Sequence, residues 1–114
     1  VALTYVQDTI FDISPALTAP GLGNLLQVAV NDLFRTSDYT LIAIVSNINT
    51  NVVVRLDGSI DGINFAPIIA NQTITANGPF VFSVSGRPVK WVRPSFVSES
   101  GGTSAQVIFN VAAA

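Results

Sequence analysis

The chain has 114 residues, five of them basic and seven acidic, for a formal net charge of −2, and it contains neither cysteine nor histidine. That length suits a single domain, and a chain of this mass buries about two-thirds of its unfolded surface, enough for one core without staples. The inventory excludes disulfides, thiol chemistry, Ser-His-Asp and Cys-His nucleophilic sites and zinc sites of the usual ligands. Five basic residues, with only Arg87, Lys90 and Arg93 close together, are too few for the basic stripe of a nucleic-acid binder, so no nucleic-acid partner is expected.

Charged residues make up only 11% of the chain and hydrophobic ones 49%, whereas about 25% charged is typical of a soluble domain. A dispersed monomer relies on a charged, patch-free surface. The expectation is therefore that partners cover much of this surface in an assembly. The alternative is a neutral surface of Ser, Thr and Asn. No apolar run is long enough for a transmembrane helix, so no membrane partner is expected. Val1 to Tyr5 lacks the basic start and apolar stretch of a signal peptide.

Helical periodicity is nearly absent, and apolar residues alternate or form short β-branched runs between Gly, Pro, Asn and Ser. Residues 1–35 are broken by Ser14-Pro15 and Ala19-Pro20-Gly21-Leu22-Gly23. Thr4 to Phe11 and Leu25 to Val30 read as strands, the first able to lie on a neighbour as an extended arm. Tyr39 to Val45 is apolar on both faces, as in a strand buried on two sides. After the turn Ser46 to Asn51, Asn51 to Asp57 alternates, with Val52, Val54 and Leu56 on one face and Val53, Arg55 and Asp57 on the other. These two strands read as a central hairpin.

Gly58 to Gly62 is turn chemistry. Phe65, Ile68 and Ile69 return to the core, and Thr73 to Thr75 reads as a short strand. Asn77-Gly78-Pro79 opens a strand in which Phe80, Phe82 and Val84 alternate with Val81 and Ser83. Gly86-Arg87-Pro88 leads into Val89 to Arg93, where Pro94 marks an edge or a bulge. Ser98 to Gly102 is a loop. The last strand, Ala105 to Val111, points Ala105, Val107, Phe109 and Val111 inward. The predicted fold is an all-β, antiparallel, jelly-roll-like sandwich with an extended N-terminal arm. Its expected division is an arm with the first strands over 1–35, packed on the same domain or a neighbour, and a sandwich domain over 36–114.

Candidate chemistry is thin. Asp57 and Asp61 could flank a sugar as a carboxylate pair, but each also suits a turn. Asp57, Ser59 and Asp61 match the first half of a calcium loop, with Gly62 at its sixth position. The match fails at the twelfth, where Ile68 replaces the bidentate Glu. Trp91 is either core or a stacking platform for a sugar. Asn71-Gln72-Thr73 is a glycosylation sequon, meaningful only in a secreted eukaryotic protein. No enzyme activity and no cofactor are expected.

The stretch Val52 to Phe65, with Gly58-Ser59-Ile60-Asp61-Gly62-Ile63-Asn64-Phe65 at its end, resembles a segment of small β-sandwich proteins in tailed-phage virions. Gly78-Pro79-Phe80-Val81-Phe82, Val89-Lys90-Trp91-Val92-Arg93 and the final Gly101-Gly102-Thr103 followed by a strand extend the likeness over residues 39–112. The resemblance implies a capsid cement or decoration protein on the capsid surface of a virion. Its partners would be the major capsid protein and further copies of itself, a trimer being plausible. Such a protein would act by burying apolar faces and pairing strand edges, with Leu22, Leu25, Leu26, Leu33 and Phe34 as the expected interface residues, unless these are ordinary core. The second reading is a carbohydrate- or receptor-binding module of a tail fibre or adhesin, which calls for an exposed aromatic or a metal at the Asp57–Asp61 loop.

Overall fold

A computed structural model of the chain describes residues 10–29 and 36–114. The strands are β1 (Ile10–Ile13), β2 (Gly21–Leu22), β3 (Leu26–Gln27), β4 (Tyr39–Ser46), β5 (Asn51–Ser59), β6 (Ala66–Ile74), β7 (Gly78–Val84), β8 (Trp91–Ser100) and β9 (Gln106–Ala113). They form two antiparallel sheets. The first runs β1-β9-β4-β7; the second runs β2-β8-β5-β6, with β3 also paired to β8. With β2 and β3 taken as one interrupted strand, first pairs with last, second with second-last, and so inward to the β5-β6 hairpin. That nested pairing is the eight-stranded jelly roll.

Two sequence expectations fail on this topology. Tyr39–Ser46 and Asn51–Ser59 are not a hairpin: β4 pairs β7 and β9, whereas β5 pairs β6 and β8. Each strand has a fully apolar inner face and lies in the interior of its own sheet, so the two face each other across the core. The corner between them turns at Asn47, in the left-handed region at φ 55°, and is held by the Ile48 N–H donating to Asn77 Oδ1 at 2.9 Å. Pro94 does not mark an edge, because β8 lies between β5 and the β2-β3 strand; the alternative of a bulge holds, since β8 slips one residue against β5 between Phe96 and Ser98. Gly23 N–H donates to Pro94 O at 2.8 Å. The N–H that Pro94 lacks would point the same way, toward the place where the partner strand breaks between Leu22 and Leu26.

Boundaries also move. Of the expected strand over Leu25 to Val30, the described residues 25–29 hold a strand at Leu26–Gln27, and the short strand at Thr73 lies at the end of β6; of the expected strand over Thr4 to Phe11, Ile10 and Phe11 lie in β1, and residues 4–9 and Val30 fall outside the described residues. Residues 10–29 supply the outer strand to both sheets and are tied into the sandwich. Ser14 N–H donates to Phe109 O, and Ser14 Oγ accepts from Phe109 N–H.

The core consists of the inward alternations. Leu41, Ala43, Val52, Val54, Leu56, Val92, Ala105, Val107 and Phe109 are fully buried. Tyr39 is buried as well, and its hydroxyl donates to Thr36 O and accepts from Val89 N–H. Every second residue of each central strand therefore meets the opposite sheet, at roughly 1.5–3 kcal/mol per large side chain.

Candidate functional site

At the end of β5 the chain folds back over the outer face of the second sheet. Asp61 organises this loop. Its Oδ1 accepts from Ser59 Oγ and from the backbone N–H groups of Ile63 and Asn64, and its Oδ2 accepts from Asn64 Nδ2. The Asn64 backbone donor, then that of Ile63, then the Asn64 side chain hold its carboxyl well below the usual carboxylate range. Gly62 takes φ 77°, and a Cβ there would meet the Trp91 ring at 3.4 Å. Trp91 is thus half-buried beneath the loop, with one ring face against it, which removes that face as a stacking platform.

Asp57 does not join Asp61. It is buried, and its carboxylate lies 3.0 Å from Arg55 Nε on its own strand. Arg93, directly opposite Asp57 on β8, sets its guanidinium 4.1 Å from the centroid of the Phe65 ring. Phe65 therefore seals the outer face and does not return to the core. Asp57 is spent on an ion pair and Asp61 on a turn, so neither the carboxylate-pair nor the calcium reading gains geometric support. Among the described residues, no three acidic side chains come together as metal ligands.

The outer face of the first sheet differs. Register places Phe11 and Ile13 of β1, Ile108, Asn110 and Ala112 of β9, Thr40, Ile42 and Ile44 of β4, and Pro79, Val81 and Ser83 of β7 on it. None is charged. Phe11 is 70% exposed, Ile13 61% and Val81 63%. A shallow cleft of about 150 Å³ opens among Phe11, Asp12, Ile13, Thr40, Ile42, Asn110, Val111 and Ala112, where the Asp12 carboxylate accepts from Asn24 Nδ2 at 3.1 Å. Asn110 Oδ1 is buried there without a hydrogen-bond partner among the described residues.

A second group of exposed apolar side chains lies on the other sheet: Leu22 and Leu25 at its edge, and Ile60 and Ile63 on the Asp61 loop. Of the interface residues expected from sequence, Leu22 and Leu25 are exposed, while Leu26 is half-buried and packs on the core. Leu33 and Phe34 lie outside the described residues. The reading from sequence missed Phe11, Ile13, Val81, Ile60 and Ile63. The two-sided apolar run of β4 was the available signal for the first three, since an antiparallel strand with one wet face normally alternates with polar residues. Ile60 and Ile63 carried no signal beyond being apolar within a turn.

The fold and this surface define a jelly-roll sandwich with exposed apolar groups on two separate sides. The chain is similar to the crystal structure of the SPBc2 prophage-derived protein YomS, with a TM-score of 0.59, 10% identity and coverage of 98% of this chain and 100% of that one. At that identity the likeness is one of fold. No protein-family model and no curated protein sequence matches the chain.

Proposed function

We propose that this chain is a structural protein of a tailed-phage virion, a capsid cement or decoration protein that clamps the head surface. The observation that carries this reading is the division of the exposed apolar residues into two groups. Phe11, Ile13 and Val81 lie on one sheet, and Leu22, Leu25, Ile60 and Ile63 lie at the edge and end loop of the other. A clamp needs two contact surfaces held at a fixed separation, and a rigid sandwich supplies that. Apolar anchors on a preorganised scaffold lose little conformational freedom on docking. The low charge content suits surfaces meant to be covered, and the shared fold with a prophage-derived protein agrees with a phage source.

The test is co-sedimentation of the purified chain with capsid shells assembled from the major capsid protein of the same virus. Saturable binding that raises the heat resistance of the shells is expected, and Leu22→Lys together with Ile63→Lys should abolish it. Absence of binding, or binding indifferent to both substitutions, overturns the proposal.

A further inference from the structure

We propose that the outer face of the β1-β9-β4-β7 sheet is covered by a second copy of this chain, packed face to face across a two-fold axis that passes close to Asn110. The inference does not depend on the capsid reading; where both hold, the second copy takes the Phe11, Ile13 and Val81 contact, and Leu22, Leu25, Ile60 and Ile63 face the head.

Four observations converge on this occupant. First, β4 is apolar on both sides, but the described residues cover only one of them: Leu41 and Ala43 are fully buried while Ile42 and Ile44 are half-buried. An antiparallel sheet with two apolar faces is normally covered on both.

Second, the area fits a weak dimer. Strands of four, eight, eight and seven residues, about 4.8 Å apart with about 3.4 Å per residue, make a face of roughly 440 Å², and two such faces give about 900 Å², the size of a small interface that dissociates on dilution.

Third, the face is self-compatible. A two-fold contact sets residues near the axis against their own mates, so any charge there would oppose itself. This face has none, whereas the outer face of the other sheet carries Arg55, Asp57 and Arg93. Its apolar centre of Ile13, Ile42, Ile108 and Val81 is flanked by the uncharged Thr40, Ser83 and Gln106, the anatomy of an interface with a dry middle and a polar rim.

Fourth, Asn110 is the polar group in that middle, flanked across the strands by Ile13 and Ile42. Its Oδ1 has no hydrogen-bond partner among the described residues. A carboxamide is both donor and acceptor, so two copies related by a two-fold axis satisfy each other by reciprocal Nδ2–H to Oδ1 bonds. The amide torsion of Asn is broad, and the adjoining cleft gives it room to turn outward.

The experiment is the solution mass of the full chain by light scattering over a wide concentration range, at low and high salt. A salt-resistant mass of two chains is expected. Ile13→Lys and Val81→Lys, at positions exposed in the single chain, should each weaken association at least about tenfold, because a charge would be buried without a partner. Thr73→Lys, on the outer face of the other sheet, should leave it unchanged. Asn110→Asp should dissociate at neutral pH and re-associate as the pH falls through the carboxylate range, since two carboxylates at the axis cannot both stay ionised. Circular dichroism of each variant checks the fold.

A wild-type monomer at every concentration, a trimer mass, or association indifferent to both Lys variants overturns the inference. A monomer that still binds capsid shells sinks this inference and leaves the cement reading standing. A dimer that binds no shell does the reverse.

Discussion

The two outer faces of the sandwich come from strands of similar length and composition, yet they end in opposite characters. On the β5-β8 side, Arg55, Asp57 and Arg93 alternate with the core residues and are drawn into contacts within the chain: an ion pair, and a cation over Phe65. The Asp61 loop and Trp91 then close over one end. On the β4-β9 side nothing from the described chain folds over, and isoleucines occupy the positions where the other sheet has charges. One face draws its charges into contacts within the chain, with Asp57 Oδ1 ion-paired to Arg55 and Arg93 Nε left without a hydrogen bond among the described residues. The other leaves both an apolar surface and an orphaned amide for a partner to meet.

The most forceful way to break this contrast uses neighbouring residues on opposite sides of β4. Leu41→Ala, in the core, should cost about 2–5 kcal/mol, read from denaturant unfolding. Ile42→Ala should cost about half that in the dilute chain. If the outer face is covered in the assembly, the deficit of Ile42→Ala will grow with protein concentration, because association stabilises only the folded form. A deficit independent of concentration would show that the face stays wet.

Next comes the Asp61 loop. Asp61→Ala should lower the melting temperature and increase hydrogen exchange at Ile63 and Asn64, whose N–H groups lose their acceptor. The folded-state pKa of Asp61 is depressed, so the stability it contributes is fully present above the unfolded value of about 3.9 and is lost as pH falls below it. Wild type should therefore lose more stability than Asp61→Asn between neutral and strongly acid pH, measured by thermal unfolding.

A smaller effect is expected at Arg93. Replacing it with Ala removes the cation over Phe65, worth about 0.5–1 kcal/mol at a partly exposed site, and should raise the fluorescence sensitivity of the neighbouring Trp91 to quenchers. Smallest of all is Thr73→Lys, on the face already satisfied, which should stay within about 0.5 kcal/mol of wild type in unfolding experiments.

The candidate surfaces were only partly legible beforehand. Leu22 and Leu25 are apolar residues outside the recognised strand pattern, and they prove to be exposed, but Leu26, beside them, packs inward. A two-residue strand carries too little alternation to separate the two outcomes. The calcium-like spacing of Asp57, Ser59 and Asp61 was a true turn signal. Its chemistry was decided by Arg55, which takes Asp57 away from Asp61.

What the residues determined by themselves was local. Period-two alternation assigned Val52, Val54, Leu56, Val107, Phe109 and Val111 to the core, because successive side chains of a strand point to opposite faces. The lack of helical periodicity, together with closely spaced turn residues, set the all-β sandwich class. Only the tertiary structure decided that β4 and β5 part into different sheets, that β8 is an interior strand despite Pro94, and that residues 10–29 complete both sheets. Alternation says which residues share a face but not which strand lies alongside. Pairing depends on contacts between segments far apart in the chain, and the same limit hid the uncharged outer face, whose residues come from four strands that only the fold brings together.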